Sequence, residues 1–331
     1  MQSTTRIVVK ILLVALSLPL LFACGTMERL APSVAGDLLQ KGQREMETER
    51  NYEVFRESAL PNLKFIEGIL YVNPSEENLL ASLTKGYASY AVLVSESELL
   101  EVKLAIKKQS RKREDEEYYK KRAIDFYTRA QNYGLRFLKL QGVSYEQLLA
   151  ASSEELAKLL DQNLDGENSR DLDAIFFLAQ AWAGLINLQK ERPRLMGQLP
   201  LVKSLFDWVC LREPNYFFGG CMAFNGAYEV SRPPLLGGNP QKGLQLFQQG
   251  IEKNRDNLFL QVALIEYALI PLEEKELFQK QMAELKSAIQ RITAYWEEST
   301  SSSYDPHQNL LNALAMKHYN VLKQYDKTIF E

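Results

Sequence analysis

The chain has 331 residues with 39 Lys and Arg against 42 Asp and Glu, a net charge of −3 and only two histidines. A mildly acidic chain without a basic stripe excludes charge-driven binding to nucleic acid or anionic lipid. So few His and three Cys leave a zinc or other transition-metal site improbable and give a nucleophilic triad little choice of base. No metal and no cofactor is expected.

The first element is an export signal. Arg6 and Lys10 precede an uncharged run over residues 11–22, too short at ~1.5 Å per residue to cross a ~30 Å hydrocarbon layer. It ends at Leu21-Phe22-Ala23-Cys24, which resembles the bacterial lipobox, so Cys24 is the expected lipidation site and residues 1–23 a cleaved signal peptide. Their removal takes the net charge from −3 to −5. Residues 24–50 then read as lipidated Cys, tether and first helix, and 51–331 as one solenoid domain.

From residue 37 onward, apolar residues recur at helical spacing and strand-like alternation is absent. Breaks fall at Asn73-Pro74-Ser75, Gly142, Asp165-Gly166, Glu213-Pro214-Asn215, Pro233-Pro234, Gly237-Gly238 and Tyr304-Asp305-Pro306. The spacing of second helices in tetratricopeptide repeats is met at Asn62/Ile66/Ile69/Pro74, Ala123/Tyr127/Ala130/Leu135, Val202/Phe206/Val209/Pro214 and Gly243/Phe247/Gly250/Arg255. That of first helices is met at Leu80/Leu83/Thr84/Tyr87, Ile175/Leu178/Ala179/Trp182 and Cys221/Phe224/Asn225/Tyr228. The expected fold is therefore all-α, a tetratricopeptide-like helix-pair solenoid with helical insertions.

One insertion extends the helix after Tyr87 through residues 107–122, with Arg111/Asp115, Lys112/Glu116 and Arg113/Glu117 four apart on a solvated face. A second, over 144–162, holds an amphipathic helix opened by Ser152-Ser153-Glu154-Glu155.

Residues 173–183 are apolar on every side, which marks a helix that is buried or faces an apolar cavity. Phe176 and Phe177 fall off the repeat-packing positions and, with Trp182 and Tyr228, are candidate cleft residues; burial under an inserted helix fits them equally. Cys210 and Cys221 either pair in an oxidising compartment or stay as buried thiols. In the loop 231–240, two prolines and two glycines shape the backbone. Asn239 before Pro240 suits a helix N-cap, and Arg232 suits an anion contact or a cap on the helix before it. Both join the candidate ligand-binding set. His307 and His318, eleven residues apart on one expected helix, stand ~16 Å from each other and share no ion.

These segments together resemble the tetratricopeptide-repeat lipoproteins associated with TRAP transporters, the T components. The resemblance is carried by Glu57-Ser58-Ala59-Leu60-Pro61-Asn62-Leu63, Gly68-Ile69-Leu70, Asn78-Leu79-Leu80 to Gly86-Tyr87-Ala88-Ser89-Tyr90, and Arg129-Ala130-Gln131-Asn132-Tyr133-Gly134-Leu135-Arg136. Trp182-Ala183, Pro233-Pro234-Leu235-Leu236-Gly237-Gly238-Asn239, Phe247 and Asn312-Ala313-Leu314-Ala315 continue it to Phe330. Asn239 and Gly243 stand where that family tends to have aspartate and alanine. The resemblance implies a non-catalytic, lipid-anchored homo-trimer in the periplasm. It would dock the substrate-binding protein of a TRAP transporter and hold or pass a hydrophobic, carboxylate-bearing ligand in a cleft. Gly25 after Cys24 lacks the aspartate that retains lipoproteins at the inner membrane, which favours the outer membrane. Two other readings are a scaffold lipoprotein for envelope assembly without a small ligand and an acid/base hydrolase, the latter requiring two carboxylates in one pocket.

Overall fold

Helix boundaries follow the local chemistry of their caps. In a computed structural model describing residues 36, 38–40, 42–298 and 304–331, Asn51 opens α1 (Tyr52–Val72), its side chain accepting from the backbone of Glu53 and Val54. The export signal and Cys24 lie outside the described residues. Glu76 caps α2 (Glu77–Tyr90), which passes through a π-helical turn, Ala91–Glu96, into α3 (Ser97–Lys107). After α4 (Arg113–Leu140), reciprocal capping boxes Ser144/Gln147 and Ser152/Glu155 open α5 (Tyr145–Ala150) and α6 (Ser153–Asn163). Then come α7 (Ser169–Leu188), the single turn α8 (Pro193–Met196), α9 (Leu199–Arg212) and α10 (Tyr216–Ser231). Asn239 caps α11 (Pro240–Lys253) with Pro240 at its first position. The chain ends in α12 (Phe259–Leu264), a second π-helical turn Ile265–Leu269, α13 (Lys275–Glu298) and α14 (Asn309–Gln324).

The fold is all-α, with no strand among the described residues. Helices pack in neighbouring layers: α2 on α4, α7 on both of them and on α9, α10 on α11, and α12 on α14. The expected inner faces of α4, α9 and α11 are buried at Ala123/Tyr127/Ala130, Val202/Phe206/Val209 and Gly243/Phe247/Gly250. Leu80, Leu83, Thr84 and Tyr87, and Ile175, Leu178, Ala179 and Trp182, are buried as well, whereas on α10 burial is complete at Cys221 and partial at Phe224, Asn225 and Tyr228. α7 is apolar and long enough to span a membrane, yet most of it is enclosed, so it is the central core helix.

Two expectations change. α1 buries Phe55, Ala59, Leu63, Ile66 and Leu70 while Asn62 is exposed, because α1 turns a different face toward α2. The charged stretch is not one helix. α3 stops at Lys107, Gln109 takes φ +60°, and Ser110 returns its amide and hydroxyl to the carbonyl of Ala105, so Arg111 and Lys112 sit in a turn.

The helix array closes on itself. α14 packs against α1, the Leu310 amide donates to Glu47 O at 2.9 Å, and the Asn309 side chain donates to Thr48 O at 2.9 Å. Arg50 donates to Trp296 O at 2.9 Å. The fully buried Asn312 binds the other side, accepting from Leu258 N and donating to Asp256 O, each at 2.8 Å. Two apolar clusters result, one of α1 to α10 with Leu310, Leu311, Ala313 and Leu314 of α14, and one of α10 to Ile329 with Leu104 and Ala105 of α3.

Candidate functional site

Where the ends of the array meet, a partly open apolar cavity of about 70 Å³ remains. Phe55, Ala59, Leu63 and Ile66 of α1 form one wall, and Lys85, Gly86, Ser89 and Leu93 another. Leu310 and Leu311 of α14, His307 and Phe217 close it from the other side, and Gln43, Met46 and Glu47 cover it. At roughly 10–15 Å³ per water it has room for about five waters or a short apolar chain. Met46, Phe55 and Asn62 also border an open surface depression with Arg50 and Ser58, so cavity and depression adjoin along these three residues.

Lys85 is the only charge on the cavity's α2 wall and the only one between Glu77 and Glu96. Its ammonium lies 2.8 Å from Glu47 Oε1 and 3.3 Å from Asp173 Oδ2, and over the rings of Phe177 at 5.3 Å and Phe217 at 5.8 Å. Burial disfavours its charge, but Asp173 and Glu47 outweigh burial and hold it above the ordinary lysine value. The Tyr216 hydroxyl donates to Asp173 at 2.6 Å; burial first, and that carboxylate second, push its ionisation far up, so it stays a donor.

Phe217 reaches the cavity through an uncommon backbone. Phe217, Phe218 and Gly219 adopt φ of 51°, 53° and 91°, a short left-handed turn at the start of α10. Each non-glycine residue there costs roughly 1–2 kcal/mol. Surrounding contacts enforce it. The Cys210–Cys221 disulfide brackets it, Asn257 donates to Phe218 O at 2.9 Å, and Phe217 packs edge-on against Phe177 at 5.1 Å. The disulfide decides what spacing left open: the two Cα atoms stand 5.7 Å apart.

The structure does not bring the six expected ligand-binding residues together at one opening. Phe176, Phe177 and Trp182 are 3 %, 0 % and 1 % exposed, with Phe177 directly behind the cavity wall and Trp182 donating to Gln198 at 2.8 Å. Tyr228 lies under the Arg232 guanidinium, 3.9 Å from the ring, and Arg232 also donates to Tyr228 O and bonds Glu229 at 3.1 Å. Asn239 caps α11. His307 faces Asp305 at 2.8 Å on a turn before α14, whereas His318 lies within that helix, bonded to Glu266 and Ser97. Among the described residues no group of acidic, His or Cys side chains is placed to hold a metal ion.

The site residues that spacing missed are Lys85, Glu47, Asp173 and Phe217. Their visible signals were a lone cation in an apolar helix and the Phe217-Phe218-Gly219-Gly220 run.

In comparison with known proteins, the family model described as "TRAP transporter T-component" matches residues 48–330. No curated protein matches the chain.

Proposed function

The chain belongs to the TRAP transporter T-component family, and from that premise we propose that it is a lipid-anchored accessory subunit that docks the transporter's substrate-binding protein and holds an apolar, carboxylate-bearing ligand. The family is a transporter component rather than an enzyme family. Acylation at Cys24 holds the chain on the periplasmic side, at the outer membrane, and the working unit is a homo-trimer. The lipobox-like Leu21-Phe22-Ala23-Cys24 supports the anchor; membership of the family supports the partner.

The observation that carries the ligand reading is the partly open apolar cavity with one largely buried ammonium on its wall. Apolar walls take up a hydrocarbon portion, and Lys85 supplies the charge-assisted contact for an anionic end. Glu47, on the covering segment, occupies that contact in the structure, so a ligand carboxylate competes with it. Asp173 stays behind to keep the ammonium compensated.

The test has two arms. Solvent extraction and mass spectrometry of protein purified from the periplasm should recover an apolar anion from the wild type. Recovery should fall about tenfold or more in Lys85→Met, the factor expected for losing one charge-assisted hydrogen bond. Capture of periplasmic substrate-binding proteins on the immobilised chain should return the transporter's own. Empty wild-type protein sinks the ligand reading, and absence of any complex sinks the docking reading.

A further inference from the structure

The covering segment enters the array at one identifiable corner. A Cβ on Gly36 would lie 2.5 Å from Glu76 Oε2; further along, the Gln43 side chain donates to Ser82 O at 2.8 Å and Glu47 meets Lys85. The segment therefore runs beside α2 in the same direction, and the chain before Gly36 departs from the N-terminal end of α2, where α1 has just ended at Val72. Cys24 stands twelve residues before Gly36, a length that spans at most ~40 Å when fully extended. An anchor at Cys24 ties this corner of the molecule to the bilayer.

The same corner is apolar on its outer side. Phe65, Tyr71 and Val72 are 64 %, 87 % and 69 % exposed, whereas the face of α1 that carries Phe55, Ala59, Leu63, Ile66 and Leu70 is packed into the core. Phe65 and Val72, seven residues apart, share one helix face; Gly68 between them adds no side chain, and Tyr71 stands beside Val72 in the last turn. The end of α4 joins them. Arg136 donates to Pro74 O at 3.2 Å and lies over the Tyr133 ring, and one turn further α4 ends on the exposed Leu140. The neighbouring carboxylates have partners: Glu67 pairs with Lys64, Glu76 accepts from Leu79 N at 2.7 Å, Glu77 meets Arg170 at 2.6 Å, and Glu146 has Lys139 nearby. Exposed aliphatic and aromatic side chains rimmed by a tyrosine hydroxyl and an arginine match the chemistry of a headgroup layer, wet at one end and apolar at the other.

We propose that this corner is a membrane-contact surface: Phe65, Tyr71 and Val72 enter the interfacial region of the bilayer that holds the anchor, with Arg136 at the level of the phosphates. The occupant is lipid because the route to Cys24 begins here, and the contact works by apolar insertion, in keeping with a chain that has no basic stripe. The surface orients the protein. α4 leads away from it, so that Tyr118, eighteen residues before Arg136, stands about 27 Å along that helix. The inference rests on acylation at Cys24 only for what holds the corner against lipid.

The experiment compares the acylated mature chain on phosphatidylcholine vesicles with the same chain, made without its acyl group, in solution. Hydroxyl-radical labelling of individual side chains is read by mass spectrometry. Labelling of Phe65 and Tyr71 should fall at least about threefold on vesicles, as for rings carried roughly 5–10 Å into the interface. Tyr118, 64 % exposed, should label equally in both. Phe65→Ser combined with Val72→Ser, both outside the core, should restore Tyr71 labelling while the chain stays on the vesicles and its urea midpoint is unchanged. Equal labelling of Tyr71 on and off vesicles overturns the proposal, as does protection that survives the double substitution. Protection of Tyr71 in the unacylated chain in solution, with a mass above that of one chain, makes the face an interface between copies and overturns it too. Should Cys24 of the purified protein prove unacylated, the anchor reading falls, and the same labelling with the Cys24 thiol coupled to a maleimide lipid decides the surface by the same outcomes.

Discussion

At the scale of the residue, buried charges here persist because each has an assigned counterpart. Lys85 is enclosed with Asp173 and Glu47, and Glu67 shows the reverse case of an acid held by donors. Its Oε1 accepts from Tyr87 at 2.7 Å and Tyr133 at 2.8 Å, and Lys64 pairs with its other oxygen. Burial alone would raise its proton affinity, but the Lys64, Tyr87 and Tyr133 hydrogen bonds prevail and hold it below the ordinary value. The same bonds, added to burial, push the Tyr133 phenol up to about 12. A lowered carboxylate stabilises the fold above its unfolded value, and that contribution is lost as the pH falls through the folded one. Glu67→Gln should therefore cost about 1–2 kcal/mol at pH 7 and much less at pH 3, read from urea unfolding at the two pH values.

Among the elements, the start of α10 shows how tertiary contacts overrule local preference. Two phenylalanines in left-handed geometry are disfavoured, yet the turn is bracketed by Cys210–Cys221 and packed between Phe177 and Asn257. Beyond it, α10 approaches α11 closely. A Cβ on Gly226 would lie 2.6 Å from Phe247, and one on Gly243 would lie 2.6 Å from Val230, so only glycines fit that crossing. Removing the bracket tests the turn. The double substitution Cys210→Ala/Cys221→Ala should lower stability by about 2–4 kcal/mol, as expected for a short disulfide loop. Exchange should speed up at the amides of 216–219 while those of α4 stay protected.

For the whole molecule, closure of the array is the decisive feature. Asn309 is 2 % exposed and serves three partners: Trp296 and Tyr304 donate to its oxygen at 2.8 and 2.7 Å, and its amide donates to Thr48 O. Asn309→Leu keeps the volume but leaves those groups unpaired, at a cost of about 2–4 kcal/mol. If the ends meet only through this network, Trp296 emission should shift to the red as the junction loosens. An unchanged spectrum with unchanged stability would show that α13 and α14 hold the junction without it.

What spacing determined by itself was the set of local decisions. Apolar recurrence at three and four residues made every element a helix, caps such as Asn239 and Ser152 set where they begin, and the inner faces of α4, α9 and α11 were readable because 3.6-residue periodicity survives in any helical context. The apolar belt of α7 was readable too, but not which of its two meanings applied; packing of α2, α4 and α9 around it made Phe176, Phe177 and Trp182 core. Only the tertiary structure made the site. Lys85, Glu47, Asp173 and Phe217 come from four distant stretches of chain, and a lysine between a leucine-rich turn and Gly86-Tyr87-Ala88 carries no local mark of the carboxylates it will meet. The cavity exists because α14 returns to α1, a long-range closure that depends on hydrogen bonds across some 260 residues. Periodicity describes one helix face at a time, whereas a site of this kind is a property of which faces are brought together.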